Sequence, residues 1–347
     1  MTSLAERLRA QSAQCADHHS PLTAALLTGA ADDYEAGGPA RDLLAPLAGD
    51  PSGTVPSLRF AGALHRMVLQ REAPELALHY PSVGGTAPVD QVWPAARKHI
   101  AEALPALREH VRRPVQTNEP GRSAVLLGGL HHVASGTEKP LRLLEIGASA
   151  GLNLLVDRYA YELTSGQVLG DPGSPMRLVQ PWRGDLPASS FEIVERLGCD
   201  PRPLDPRSTA DRLTLTSYVW GDQLERFDRL RNALEVAAQH PVTVRPAGAS
   251  DFLAAELAGP RADVATVVWQ SVVQQYLDPL ERIAVEELLQ AAGSRATAQA
   301  PLAHLMMEPD PSARPGAAFR VTLRTWPGGE SRILATCRGH GPPITWH

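Results

Sequence analysis

The fold class of this 347-residue chain is decided by the stretch Leu143-Leu144-Glu145-Ile146-Gly147-Ala148-Ser149-Ala150-Gly151-Leu152-Asn153. Its first residues form a short, mostly apolar run, which is typical of a buried strand. Small residues follow up to Gly151, and residues 152–159 have helical potential. The stretch therefore predicts a strand, a tight turn and a helix, and such a turn lets a ligand approach the backbone and the free N–H groups of the helix.

Downstream of this turn, apolar runs alternate with helical segments. Strands are predicted at residues 242–245, 265–270 and 302–307, and helices at 224–239, 251–257 and 280–292. This alternation favours βαβ units and a parallel sheet. Residues 319–326 and 331–337 flank Pro327-Gly328-Gly329-Glu330, a hairpin pattern. We therefore predict an α/β fold with a mostly parallel sheet and a C-terminal antiparallel hairpin.

The chain is predicted to have two parts. Residues 1–115 contain helical segments punctuated by Pro and Gly, including 58–70 and a helix over 93–110 that Pro94 and Pro105 interrupt or start. We expect this helical region to cover the substrate of an α/β domain spanning residues 116–347. Residues 160–190 are too long for an ordinary connection, so we predict an insertion, which is often functional.

The glycine turn is compatible with several chemistries. Gly147-x-Ser149-x-Gly151 matches the G-x-S-x-G elbow of serine hydrolases, with Ser149 as the nucleophile. That fold needs several strands before its elbow, and residues 1–140 show none. The dinucleotide fingerprint G-x-G-x-x-G fails, because Ser149 replaces its second glycine and the third position falls at Leu152 or Asn153. A turn without a ligand is the structural alternative.

Glu145-x-Gly147-x-Ser149-x-Gly151 resembles the first motif of class I S-adenosylmethionine (SAM) methyltransferases, an acid followed by x-G-x-G-x-G. The resemblance implies a Rossmann-like core in which the turn, including Ala148 and Asn153, holds the amino-acid end of SAM and Glu145 accepts from its ammonium or orders the loop. Ser149 departs from the motif.

The same resemblance implies a second acid at the end of the next strand, where it would hold the ribose hydroxyls. Asp200 in Gly198-Cys199-Asp200 matches it, with Asp205 as the fallback. The alternative is that both are turn formers, because each precedes a proline. The segment before Asp200, residues 191–197, is compatible with a strand or a helix.

Further motifs cover nearly the whole chain: Leu64-His65-Arg66, Tyr80-Pro81-Ser82, Gln116-Thr117-Asn118-Glu119-x-Gly121-Arg122, Asp157-Arg158-Tyr159, Gly198-x-Asp200-x-x-Pro203-x-Asp205 and Val268-x-x-Ser271-x-Val273-x-x-Tyr276-Leu277. With the glycine turn, they make the chain similar to an uncharacterised bacterial family, a domain of unknown function (number 2332). The resemblance implies a methyltransferase-like core without an established substrate. Gln270 stands where the family pattern has a histidine. Ala249 stands where a Gly-Asp pair is common, and the carboxylate of that Asp often holds the adenine amino group.

Two other groups of residues are predicted to act on the substrate. Gln270 and Ser271 follow a strand at the edge where open α/β sheets bind ligands, so they can orient the acceptor; the alternative is helix capping by Ser271. Asn118, Glu119 and Arg122 can clamp a carboxylate or phosphate, with Glu119 as a general base if desolvated. The alternative is a helix N-terminus capped by Thr117 or Asn118, with Arg122 in a surface ion pair.

Composition excludes several partners. With 33 Lys and Arg against 38 Asp and Glu, the net charge of −5 gives no global reason to bind nucleic acid or an anionic membrane. The apolar runs are too short for a membrane span, and no signal peptide is recognisable. Three scattered cysteines favour a reducing, cytoplasmic compartment. The histidine and cysteine spacings predict no metal site.

The favoured function is SAM-dependent methyl transfer to a small-molecule acceptor, with a methyltransferase-like binding or scaffolding protein without activity as the alternative. A serine hydrolase that uses Ser149 is third.

Overall fold

The fold is described from a computed structural model of the chain, which describes residues 3–314, 316 and 318–347, without the side chain of Ser52. Residues 1–2 of the predicted helical region, and residues 315 and 317 of the predicted α/β domain, lie outside the described residues.

The helices are α1 (Leu4–Asp17), α2 (Pro21–Glu35), α3 (Pro39–Leu44), α4 (Pro56–Leu69), α5 (Pro74–Ala77), α6 (Val92–Glu102), α7 (Leu104–Val111), α8 (Ser123–Thr137), α9 (Thr209–Ser217), α10 (Leu224–Gln239), α11 (Ala249–Glu256) and α12 (Pro279–Gly293). The strands are β1 (Leu141–Ile146), β2 (Ala160–Glu162), β3 (Val168–Gly170), β4 (Arg177–Val179), β5 (Trp182–Arg183), β6 (Ile193–Asp200), β7 (Thr243–Pro246), β8 (Ala265–Ser271), β9 (Leu302–Pro309), β10 (Phe319–Trp326), β11 (Glu330–Arg338) and β12 (Gly341–Trp346).

Local chemistry fixes where many helices begin. Ser3 and Glu6 form a capping box at the start of α1, in which each side chain accepts from the other residue's backbone N–H. Proline occupies the first turn of α2, α4 and α12, where its missing N–H costs nothing. Pro105 lies in the first turn of α7 and separates it from α6, so the predicted interruption of the helix over residues 93–110 is confirmed.

The chain forms two compact units, and the first combines the residues up to Thr117 with Thr209–Asp228. Residues 3–117 fold into helices and 3-10 helices and contain no strand. Helix α4 lies at the centre of this unit, because it contacts α1, α2, α7 and α9 and buries Phe60, Leu64 and Met67. Helix α4 is buried on nearly all sides, and its many apolar and small residues permit this.

The second unit, Asn118–Ser208 with Arg229–His347, contains the sheet. In the described part of the chain this sheet has nine strands in the order β5-β12-β11-β10-β9-β8-β1-β6-β7. Strands β7, β6, β1, β8 and β9 are parallel, and their central members are buried along their whole length. Such continuous apolar strands are typical of a sheet covered on both faces. The predicted α/β class with a mostly parallel sheet is confirmed.

The antiparallel part extends further than predicted. Strands β10 and β11 form the expected hairpin around residues 327–329. A third antiparallel strand, β12, then pairs with β11, and β5 from the predicted insertion adds a parallel edge strand beside it. The same insertion carries a small separate sheet in the order β3-β2-β4.

The two faces of the sheet have different cover. Helix α8 lies on one face, where Gly129 packs so closely on Leu305 that a Cβ atom would be 2.3 Å from its side chain. Helices α11 and α12 cover the other face with a core that includes Leu144, Val268 and Leu289. Because side chains alternate along a strand, neighbouring residues of β1 and β8 face different helices.

Candidate functional site

The glycine turn follows β1 at the carboxyl edge of the parallel strands. Gly147, Ser149 and Gly151 all adopt left-handed backbone conformations, with φ of 70°, 53° and 73°. Glycine is required at position 147 for a second reason, since a Cβ atom there would lie 2.5 Å from Cγ2 of Val273. A left-handed conformation is uncommon for serine, so the surrounding structure must hold Ser149 in place. A 3-10 helix, Leu152–Arg158, follows the turn.

Asp200 binds the turn directly. It is the last residue of β6, which settles residues 193–200 as a strand. Its Oδ2 atom accepts from the backbone N–H of Ser149 at 3.1 Å, and its Oδ1 atom accepts from that of Arg202 at 2.8 Å. The structure therefore brings Asp200 and the glycine turn together, whereas Asp205 binds the backbone and guanidinium of Arg207 near the surface.

Glu145 lies on the buried side of this site. It stands opposite Trp269 in the register of β1 and β8 and is only 2% exposed. Burial raises the pKa of Glu145 to about 8, although Asn153, Arg122 and Trp269 favour its charged form. Among the described residues, no hydrogen-bond partner reaches Glu145 Oε2, Asn153 Oδ1 or Trp269 Nε1, and all three atoms are buried.

Such orphaned polar atoms are uncommon in a folded interior, because a buried polar group without a partner costs about 1–3 kcal/mol. Glu145 and Asn153 were both predicted as site residues, and each has a buried oxygen without a hydrogen-bond partner among the described residues. Trp269 was not predicted. The only sequence pattern that could have indicated it is its place near the end of the apolar run over residues 265–269.

Asn118, Glu119 and Arg122 line the approach to the same edge. Asn118 Oδ1 accepts from the backbone N–H of Leu152 at 2.9 Å, which ties it to the residue after the glycine turn. Glu119 Oε1 accepts from Gly121 N at 3.0 Å and caps the 3-10 helix Pro120–Arg122. Arg122 donates to the carbonyls of Ser271, at 3.2 Å, and Gly339, at 3.0 Å. The helix start is therefore capped, as the structural alternative expected, but by Glu119 instead of Thr117 or Asn118, and the role of Glu119 as a base stays a prediction.

Gln270 lies on the opposite face of the sheet from Glu145, because it follows Trp269 directly in β8. Its Nε2 atom donates to Glu308 Oε1 at 2.9 Å, and its Oε1 atom lies 3.1 Å from His304 Nε2. Burial lowers the pKa of His304 to about 4. Ser271 ends β8 on the same face as Trp269, with its carbonyl bound to Arg122.

Glu308 is a site residue that sequence reasoning missed. Its Oε1 atom accepts from the backbone N–H groups of Val273, at 3.0 Å, and Gln274, at 3.3 Å, and so fixes the loop after β8. Burial raises the pKa of Glu308, and these hydrogen bonds oppose the rise. The sequence offered one indication of this residue, an acid directly after the apolar run over residues 302–307.

Val272, in the same loop, has a left-handed φ of 56°. This conformation is a true outlier for a β-branched residue and costs about 1–3 kcal/mol. Its N–H donates to Met307 O at 2.8 Å, and the next residue packs on Gly147. Strain of this kind concentrates at functional sites, and here it lies between β8 and the glycine turn.

The chain matches, over residues 5–346, the family described as an uncharacterized protein conserved in bacteria (DUF2332). It belongs to this family. No curated protein and no solved structure matches the chain. Within the described ranges, no cluster of three or more His, Cys, Asp or Glu side chains could hold a metal ion, and no helix is long and apolar enough to cross a membrane.

Proposed function

We propose that this protein binds SAM at the glycine turn and transfers its methyl group to a small-molecule acceptor. One observation carries the proposal: Glu145 Oε2 and Asn153 Oδ1 are buried polar atoms, and neither has a hydrogen-bond partner among the described residues. An ammonium has three donors and no acceptor, so it would satisfy both oxygens. A positive charge beside Glu145 would also favour the carboxylate form, which burial alone disfavours.

The order of the strands supports this position for the ligand. Numbered by their sequence within the parallel part, β7, β6, β1, β8 and β9 have the order 3-2-1-4-5. The direction of winding reverses between β1 and β8, and open α/β sheets bind ligands outside the strand ends at such a reversal. The glycine turn follows β1, and Ser271 ends β8.

The residues around the turn have separable roles in this proposal. Backbone groups from Gly147 to Gly151 hold the amino-acid end of SAM, and Asp200 would exchange its bond to Ser149 N for the ribose hydroxyls. When bound, SAM supplies an electrophilic methyl group on a sulfonium. Arg122, with Asn118 and Glu119, would orient the acceptor, since correct positioning supplies much of the rate of such a transfer.

A second candidate is a binding protein that no longer catalyses, and a specific observation favours it. Valine side chains fill the space beside both glycines where a Cβ atom would lie. Val273 lies against Gly147, and Val242 and Val244 lie against Gly151. Ala249 also begins α11 without the carboxylate that the family resemblance expects to hold adenine. Ser149 is only 2% exposed, which does not favour the hydrolase prediction.

Calorimetric titration with SAM and S-adenosylhomocysteine tests the proposal. We expect saturable binding that weakens about tenfold or more in Glu145→Gln and Asp200→Asn, because each loses a charge-assisted hydrogen bond. Glu192→Gln, an exposed acid before β6, is the matched control and should bind normally. Saturable binding without methyl transfer in an acceptor screen would favour the second candidate. No binding at millimolar ligand would refute the methyltransferase proposal and leave a binding protein built on the same fold, with a degraded SAM pocket.

A further inference from the structure

Arg66 is a buried cation that forms no ion pair with the described residues of the helical unit. It belongs to the Leu64-His65-Arg66 motif on α4 and is 8% exposed. Its Nη1 atom donates to Thr214 Oγ1 at 3.0 Å, whereas its Nε atom is buried without a partner in the part of the chain that the structure describes. Among the same residues, no Asp or Glu forms an ion pair with it.

Arg59, two turns earlier on the same helix, shows how this protein pairs a structural arginine. It is 7% exposed, yet its guanidinium lies 2.6 Å from Asp50 Oδ2 and donates to Val111 O at 2.6 Å. Two arginines of equal burial on one helix therefore differ in their partners: Arg59 has a carboxylate and a backbone carbonyl, and Arg66 has one hydroxyl among the described residues. A buried charge is stable when it is paired, and an unpaired one costs several kcal/mol.

A second cation, Arg113, acts on Arg66 electrostatically. Burial lowers the pKa of Arg66, and the charge of Arg113 lowers it further, against weaker opposition from Tyr218, Glu72 and Asp211. Burial, Arg113 and Arg66 also lower the pKa of His110, whose Nδ1 atom is buried without a partner among the described residues. Arg113 is exposed and His110 is half-buried, so a ligand can reach the group from solvent.

We infer that Arg66 and Arg113 form a binding site for the carboxylate or phosphate group of a small-molecule ligand. The planar guanidinium of Arg66 offers paired donors that match either group. Thr214 is a positioning residue, because its hydroxyl accepts from Arg66 and donates to Ala210 O at 2.9 Å. The site is independent of the proposed methyl transfer, and it gives a role to a motif of the sequence that the glycine turn leaves unexplained.

The test is calorimetric titration of the whole chain with inorganic phosphate and, separately, with acetate, at an ionic strength held constant with potassium chloride. We expect saturable binding of one anion, which identifies the ligand group. Arg66→Met and Arg113→Met should each weaken it about tenfold or more. Arg112→Met, which removes an exposed arginine paired with Glu109, should leave it unchanged.

Thermal unfolding without the anion supplies a second measurement. Removing an unpaired buried charge should leave Arg66→Met at least as stable as the wild type, whereas removal of a structural arginine would lower its stability. If Arg66→Met does not fold, the inference is wrong on this point, and Arg113→Met still tests the binding. Absence of saturable binding for both anions, or binding that both variants retain, would overturn the inference.

Discussion

Replacement of Glu145 by Gln removes a carboxyl group whose folded-state pKa burial raises to about 8, from an ordinary value of 4.5. Between these two values the folded protein holds a proton that the unfolded chain has lost. Stability therefore falls as the pH rises through this window. Each pH unit is worth about 1.4 kcal/mol at full effect, so the wild type should lose about 1.5 kcal/mol more than Glu145→Gln between pH 6.5 and 8.

The lower pH limit is chosen because of two buried histidines. Burial lowers the pKa of His65 and of His304 to about 4, so both contribute a stability that rises with pH between about 4 and 6.5, opposite in sign to the effect of Glu145. Their contribution levels off about one pH unit above 6.5, and it cancels in the comparison because both proteins contain both histidines. The raised pKa of Glu308 changes stability with pH in the same direction as that of Glu145. Because both proteins contain Glu308, its contribution cancels in the comparison.

The assay is urea unfolding followed by tryptophan fluorescence at pH 6.5 and 8, for the wild type, Glu145→Gln and the exposed control Glu192→Gln. The control should follow the wild type at both pH values. Equal losses of stability in the wild type and Glu145→Gln would refute the assignment of Glu145 as a buried, protonated acid at neutral pH.

Other perturbations test the site and its frame. If SAM binds through its ammonium, its affinity for the wild type should rise with pH by up to about tenfold per unit below pH 8 and stay flat in Glu145→Gln, as measured by calorimetry. Val272→Asn should raise the free energy of unfolding by about 1 kcal/mol in urea titrations, since Asn tolerates the left-handed conformation. Arg142→Met should lower the free energy of unfolding by about 1–3 kcal/mol, because the partly exposed carboxylates of Glu195 and Glu256 would keep only Arg261 and Arg245 as partners, whereas exposed Arg261→Met should lower it little.

The central sheet was largely predictable because its strands are buried on both faces. Continuous apolar runs locate β1, β8 and β9, and the helix over residues 224–239 was predicted with the bounds it has. Strand β6 was ambiguous because Glu195 and Arg196 interrupt its apolar pattern. Both are paired across the fold, with Arg142 and Asp157, and a single sequence does not display such long-range partners.

The edges of the sheet were harder to predict for a related reason. Strand β12 contains Pro342 and Pro343, which argue against a strand. They are tolerated because β5 pairs with Ile344 and Thr345, beyond the two prolines. Strands β2 to β5 are two or three residues long and are defined only by their pairing. At the site, Glu308 was not predicted from the sequence. Its role depends on hydrogen bonds from the backbone of Val273 and Gln274 in another loop, and neither the alternation of apolar residues nor a sequence motif indicates such contacts.

The helical unit is discontinuous in sequence, and this limits how the protein can be dissected. A fragment that ends at Thr117 would lack α9 and the following turn, so α4 would lose Tyr218, which packs on Gly62, and the Thr214 hydroxyl that holds Arg66. Such a fragment would expose apolar surface and should aggregate rather than fold. A single-unit version would instead require a linker that joins Thr117 to Thr209. During synthesis, the helical unit cannot be completed until residues 209–228 have emerged, so its folding must wait for a segment that lies beyond β6.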